Sequence, residues 1–127
     1  MNSDAAPYVL VVDDDRDIRD TIELALDMNG YRVVAAESGA EALAWLRGDH
    51  PRPFLILLDL MMPGMSGIEF RAEQQGDPAL AGIPTVVLTG AGALPEAQGN
   101  VLATELLRKP ISLDALLSTV ERHISQN

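Results

Sequence analysis

Two adjacent aspartates, Asp13 and Asp14, follow the apolar run Tyr8 to Val12. A third, Asp59, follows Phe54 to Leu58; Thr89 follows Pro84 to Leu88, and Lys109 stands just beyond Glu105-Leu106-Leu107. Carboxylates gathered in one pocket cannot all ionise without a counter-ion. Mg²⁺ suits them: a hard, oxygen-liganded ion that keeps several waters and leaves room for a phosphoryl group. One carboxylate can then act as a nucleophile and form an aspartyl phosphate. Phosphoryl transfer asks mainly for positioning and charge neutralisation. Mg²⁺ would supply one positive clamp and Lys109 another, with the Thr89 hydroxyl donating to a third phosphoryl oxygen.

Each residue also has a plainer reading. Acids ahead of a helix complement its dipole, which accounts for Asp15 and Asp17. It does not account for Asp59, which Pro63-Gly64 separates from the next helix. Thr89 could cap a helix and Lys109 could be a solvated cation. Yet Lys109 is the only lysine beside eight arginines, and a compact ammonium on a flexible stem suits a point contact to a phosphoryl or carboxylate oxygen. Five independent accidents explain the set less well than one shared site.

The elements that must position these groups are legible in the hydropathy pattern. Tyr8 to Val12, Val33 to Ala36, Phe54 to Leu58, Pro84 to Leu88 and Glu105 to Leu107 read as five strands, several apolar on both faces. Between them Ile18, Ile22, Ala25 and Leu26 recur at helical spacing, with Gly30 as a stop. Ser38 with Glu41 and Ser66 with Glu69 form S-x-x-E capping boxes. Ser112 opens a last helix on which Leu113, Leu116, Leu117, Val120 and Ile124 share a face. Gly90, Gly92, Pro95 and Gly99 oppose a long helix after Thr89. The expectation there is a short helix near Glu96 within a stretch, Gly90 to Val101, of low local stability. Alternating strands and helices give right-handed βαβ units and a parallel sheet covered on both sides. Ligands of such sheets bind beyond the carboxyl ends of the strands, where all five polar residues would converge.

Composition narrows the classes. The 127 residues make one domain. A net charge of −10 repels phosphate backbones and anionic lipid, so neither direct nucleic-acid binding nor a membrane surface is expected. No cysteine is present, which excludes disulfides, thiolate metal sites and cysteine nucleophiles. No apolar run approaches a membrane span, the first residues do not form a signal peptide, and the expected compartment is the cytoplasm. A dinucleotide site is disfavoured, because Asp13-Asp14-Asp15 stands where its glycines would be.

The run Val11-Val12-Asp13-Asp14, then Asp59-Leu60-Met61-Met62-Pro63-Gly64-Met65-Ser66-Gly67, Leu88-Thr89-Gly90 and Lys109-Pro110 resembles the receiver domain of two-component response regulators. The likeness covers almost the whole chain, with 1–7 as an N-terminal tail and 8–127 as the receiver. It implies a flavodoxin-like, doubly wound five-stranded sheet in the order 2-1-3-4-5, helices on both faces. It implies Asp59 as phosphoacceptor, Asp14 and Asp59 as direct Mg²⁺ ligands, Asp13 as a ligand through water and the Met61 carbonyl as a further one. Thr89 and Lys109 would bind the phosphoryl group, and the Lys109–Pro110 peptide would be cis. A histidine kinase or histidine phosphotransfer protein would be the donor. The chain reads as a free-standing signalling receiver rather than an enzyme on other substrates, its output passing through contacts with a downstream protein.

Many receivers place an aromatic three residues before the lysine, where it swings inward as the threonine moves. Here Leu106 holds that switch position beside Thr89, with no ring and no hydroxyl. Two alternatives compete. A Mg²⁺-dependent phosphohydrolase of the haloacid-dehalogenase type would use Asp13-x-Asp15, but would leave Asp59 idle. A receiver-like module that only binds partners would not require all of Asp14, Asp59, Thr89 and Lys109. His50 and His123 read as exposed surface residues. Met61, Met62 and Met65 read as packing under a loop, with Met61 also flanking Asp59.

Overall fold

The most apolar segments become the centre of the sheet. The computed structural model describes residues 7–90 and 105–125. In chain order it runs β1 (Tyr8–Val12), α1 (Arg16–Met28), β2 (Arg32–Ala36), α2 (Gly39–Arg47), β3 (Leu55–Asp59), α3 (Gly67–Gln75), β4 (Thr85–Thr89), β5 (Glu105–Arg108) and α4 (Leu113–Ser125). All strand pairs are parallel, in the order β2-β1-β3-β4-β5. The expected order is therefore the observed one.

The three inner strands are buried at every residue. Their alternating side chains feed two cores. Val9, Val11, Leu55, Leu57, Val86 and Leu88 pack against α1 and α4 through Ile22, Leu26, Leu116 and Val120. Leu10, Val12, Ile56 and Leu58 pack against α2 and α3 through Ala42, Leu43, Leu46 and Phe70. Burying a side chain of this size contributes roughly 1.5–3 kcal/mol, so these layers fix strand order and register.

Two strands sit one residue later than hydropathy alone suggests. β3 and β4 run on into Asp59 and Thr89 because the ladder continues through them: Asp59 pairs with Leu88, and Thr89 with Arg108. Polar residues thus end the strands from within the sheet.

The helix starts are chemically explicit. The Asp15 carboxylate accepts from the Asp17 and Ile18 N–H groups and caps α1. Ser66 and Glu69 form the full reciprocal box at α3. At α2 the box is displaced: Ser38 caps Glu41, but the Glu41 carboxylate reaches back to the Glu37 N–H at 3.0 Å rather than to Ser38. The Ser112 hydroxyl accepts from the Ala115 N–H at 3.3 Å.

Two expectations are corrected. His123 is buried on α4, its Nδ1 2.9 Å from the Thr119 carbonyl oxygen, one helical turn back. The apolar stripe of α4 faces the core through Leu116 and Val120, with Leu117 and Ile124 partly buried beside them and Leu113 half exposed at its start. Met61 is 65% exposed while Met62 is buried and Met65 packs against the α2–α3 core, so the methionines do not act as one filler. His50 is exposed, as expected. The short helix near Glu96 and the low-stability stretch lie, beyond Gly90, outside the described residues.

Candidate functional site

Strand parity aims the key side chains. The alternation that sends Val11 and Leu57 toward the α1–α4 core continues, two residues on, to Asp13 and Asp59, and from Leu107 to Lys109. Asp13 is fully buried and Asp59 is 3% exposed, whereas Asp14 faces solvent. Carboxylate oxygens of Asp13, Asp14 and Asp59 lie within 4.8 Å of one another. The Lys109 ammonium bridges two of them, 3.0 Å from Asp13 Oδ2 and 3.2 Å from Asp59 Oδ1. The Lys109 N–H donates to the Thr89 carbonyl at 2.7 Å, which ties the β5 exit to β4, and the Lys109–Pro110 peptide is cis, as the resemblance implies.

The β3–α3 turn is equally constrained. Gly64 takes a positive φ of 74°, natural only for glycine. At Gly67 the reason is space. A Cβ there would sit 2.6 Å from the Asp59 carbonyl oxygen and 2.7 Å from the Leu60 Cα. Only glycine lets α3 begin against the strand carrying Asp59, where the Gly67 N–H donates to the Leu60 carbonyl at 3.0 Å.

The electrostatics are unbalanced. Burial, reinforced by the Asp13 charge, pushes the Asp59 carboxyl up to about 6; Lys109 and the Met61 N–H, 3.3 Å from Asp59 Oδ1, oppose the rise. Burial pulls the Lys109 ammonium down, but its hydrogen bond to Asp13 and the charges of Asp59 and Asp13 outweigh it and hold the group above its ordinary value. Three carboxylates crowd together and one ammonium pairs with only two of them, Asp13 and Asp59. That donor set, all oxygen and short of positive charge, fits a hard divalent cation such as Mg²⁺.

Of the residues singled out in the sequence, the fold brings Asp13, Asp14, Asp59 and Lys109 together. Thr89 ends the neighbouring strand, buried, with its hydroxyl donating to the Gly90 carbonyl at 3.3 Å. Leu106 pairs with Val87. By parity it lies on the same sheet face as Thr89, two register positions earlier, while Leu107 packs into the α1–α4 core. Met61 meets Asp59 through its N–H. Asp15 turns away to cap α1, so Asp13-x-Asp15 does not converge as a phosphohydrolase pair would. One participant was missed: Arg19, whose Nη1 donates to the Asp13 carbonyl at 2.8 Å. Its only sequence signal is a basic residue on the first turn of α1.

Comparison with known proteins agrees with this geometry. The family description "response regulator receiver domain" matches residues 9–121. The chain is 36% identical over 121 residues to the C4-dicarboxylate transport transcriptional regulatory protein DctD of Rhizobium meliloti, covering 93% of this chain and 25% of that protein. It is 38% identical over 112 residues to the response regulator MprA of Mycobacterium tuberculosis, covering 87% of this chain and 47% of that one. The chain therefore spans about a quarter to a half of these relatives' length. Among solved structures it is similar to the Vibrio cholerae chemotaxis protein CheY4, with a TM-score of 0.83 and 34% identity over 93% of this chain and 98% of that one. A response regulator receiver protein from Pseudomonas putida gives a TM-score of 0.84 and 29% identity, again over 93% and 98%.

Proposed function

The chain belongs to the response regulator receiver domain family, and on that premise we propose that Asp59 is its phosphoacceptor. The carrying observation is the meeting of Asp13, Asp14 and Asp59 within 4.8 Å of one another, with the Lys109 ammonium bridging Asp13 and Asp59. An Asp59 carboxylate oxygen attacks phosphorus in a phosphohistidine of a histidine kinase or histidine phosphotransfer protein. The P–N bond breaks, the imidazole leaves with its electron pair, and an acyl phosphate forms on Asp59. Hydrolysis by water later restores the carboxylate.

Asp14, Asp59 and the Met61 carbonyl would hold Mg²⁺ directly, and Asp13 through water. When bound, Mg²⁺ supplies the positive charge that the phosphoryl oxygens require. Lys109 then exchanges its contact with Asp59 Oδ1 for a phosphoryl oxygen while Asp13 keeps the ammonium in place. The Thr89 hydroxyl leaves the Gly90 carbonyl for another phosphoryl oxygen. Leu106, on the Thr89 face of β5, moves with it and relays the change without a hydrogen bond of its own, so its bias on the surface is weaker than a ring's. Residues 8–127 form the receiver and 1–7 precede it. The protein is a cytoplasmic signalling module whose only catalysis is on its own phosphoryl group. Its output passes to a downstream protein and not directly to nucleic acid or membrane; no helix among the described residues is long and apolar enough to cross one.

Incubation with Mg²⁺ and acetyl phosphate, followed by borohydride trapping and mass spectrometry, tests the assignment. One phosphoryl group should map to Asp59 and vanish in Asp59→Asn. Labelling that persists in Asp59→Asn at another residue overturns it.

A further inference from the structure

Asp13 is held at each of its polar atoms. Its N–H donates to the Ala36 carbonyl at 3.1 Å, Oδ1 accepts from the Asp15 N–H at 2.9 Å, and Oδ2 accepts from Lys109 at 3.0 Å. Its carbonyl accepts from Arg19 Nη1 at 2.8 Å. Asp14, one residue later, is exposed and makes no hydrogen bond or ion pair among the described residues. Nothing at its own side chain therefore aims its carboxylate. What aims it is the backbone from which it springs.

Arg19 is the side chain that contacts that backbone at the Asp13 carbonyl. The Asp13 carbonyl and the Asp14 N–H belong to one planar peptide unit, so a bond to the carbonyl oxygen sets the plane from which Asp14 departs. The guanidinium is committed to this task. Arg16, on the same helix turn, pairs with Asp20, but Arg19 forms no ion pair among the described residues, although the chain holds nineteen acids.

We propose that Arg19 is a positioning residue of the cation site: it fixes the Asp13–Asp14 peptide so that the Asp14 carboxylate points at the space shared with Asp13 and Asp59. The proposal rests on the reading of these carboxylates as a divalent-cation site. A guanidinium near that site as a mere bystander would have the opposite effect, since its charge repels the incoming cation. The two roles therefore differ in sign.

Calorimetric titration with Mg²⁺ of the wild type, Arg19→Ala, Arg19→Met and Arg19→Lys separates them. Groups that hydrogen-bond around metal ligands typically contribute about 10–100-fold to affinity. Affinity should fall by about tenfold in the alanine and methionine variants and be partly restored by lysine. The loss should disappear when the same changes are made in Asp14→Asn, which has no carboxylate left to aim. In metal-free protein, amide exchange at Asp15, whose N–H is bonded to Asp13 Oδ1, should be faster in Arg19→Met. Affinity that is unchanged or tightened, or a loss that persists in Asp14→Asn, overturns the proposal; should Arg19→Ala not fold, the methionine and lysine variants decide. Wild-type protein that binds Mg²⁺ no better than Asp59→Asn overturns the cation-site reading itself, and this proposal with it.

Discussion

The two ends of the central sheet close in opposite ways. At the amino end of β1, the Tyr8 hydroxyl donates to the Pro51 carbonyl and accepts from Trp45 Nε1 at 2.9 Å. The Trp45 ring stands edge-on to Tyr8 and stacks on His50 with centroids 3.5 Å apart. Every bond in that chain of contacts joins neutral donors to neutral acceptors, and it ties the loop before β3 to the start of β1. At the carboxyl end, three carboxylates gather within 4.8 Å of one another and one ammonium bridges two of them. The same strands thus carry a satisfied end and an end short of positive charge. The satisfied end can be static. The unbalanced end is stabilised by whatever brings positive charge to it, and that is what a phosphorylation site with a cation requires.

Removing Lys109 should widen the contrast most. Breaking a buried ion pair by deleting one partner costs about 3–5 kcal/mol, because the other charge stays buried. Lys109→Met should lose about that much stability in metal-free urea denaturation at neutral pH, with much of it recovered on adding Mg²⁺. A loss under 1 kcal/mol, or none of it recovered by Mg²⁺, would mean that the carboxylates are not in electrostatic tension.

Neutralising an acid should have the opposite sign and a smaller size. Asp59 rises from an ordinary 3.8 to about 6, so the folded state holds its proton more tightly than the unfolded chain does. That contribution to stability is complete below about pH 4 and is lost as pH rises through about 6. Metal-free Asp59→Asn should therefore be more stable than wild type at pH 7, by roughly 1–3 kcal/mol, and the gain should vanish near pH 4. A gain that is flat with pH would point to packing rather than charge.

The smallest effect belongs to the other end. Tyr8→Phe removes one hydroxyl from a neutral network and should cost about 1 kcal/mol. Its cost should be the same with and without Mg²⁺, and an effect that changes with the cation would show that the two ends are coupled.

Legibility followed the same division. β1 was readable to the residue, because both of its faces are buried and its hydropathy has no gaps. β3 and β4 were displaced by one because hydropathy undervalues Asp59 and Thr89, which the ladder nonetheless pairs. The Ser66–Glu69 box is a purely local signal and forms in full. The Ser38–Glu41 box forms only in part, since the reach of the Glu41 side chain depends on the path of Glu37 as it leaves β2. His123 has the sequence surroundings of a surface residue on an amphipathic helix, and only the seating of α4 against the sheet buries it.

By itself the sequence determined which segments are strands, where helices begin, and that acids, a threonine and the single lysine stand at strand ends. Those features are encoded within a few residues by periodicity, capping and burial. Tertiary structure decided what the residues do to one another. The contact between Lys109 and Asp13 spans most of the chain. The crowding that admits only glycine at 67 depends on how α3 meets β3, and the bond from Arg19 to the Asp13 carbonyl depends on how α1 turns back over β1. Charge interactions act through space and vary with distance and burial. Their partners are chosen by strand order and register, which no local pattern along the chain contains.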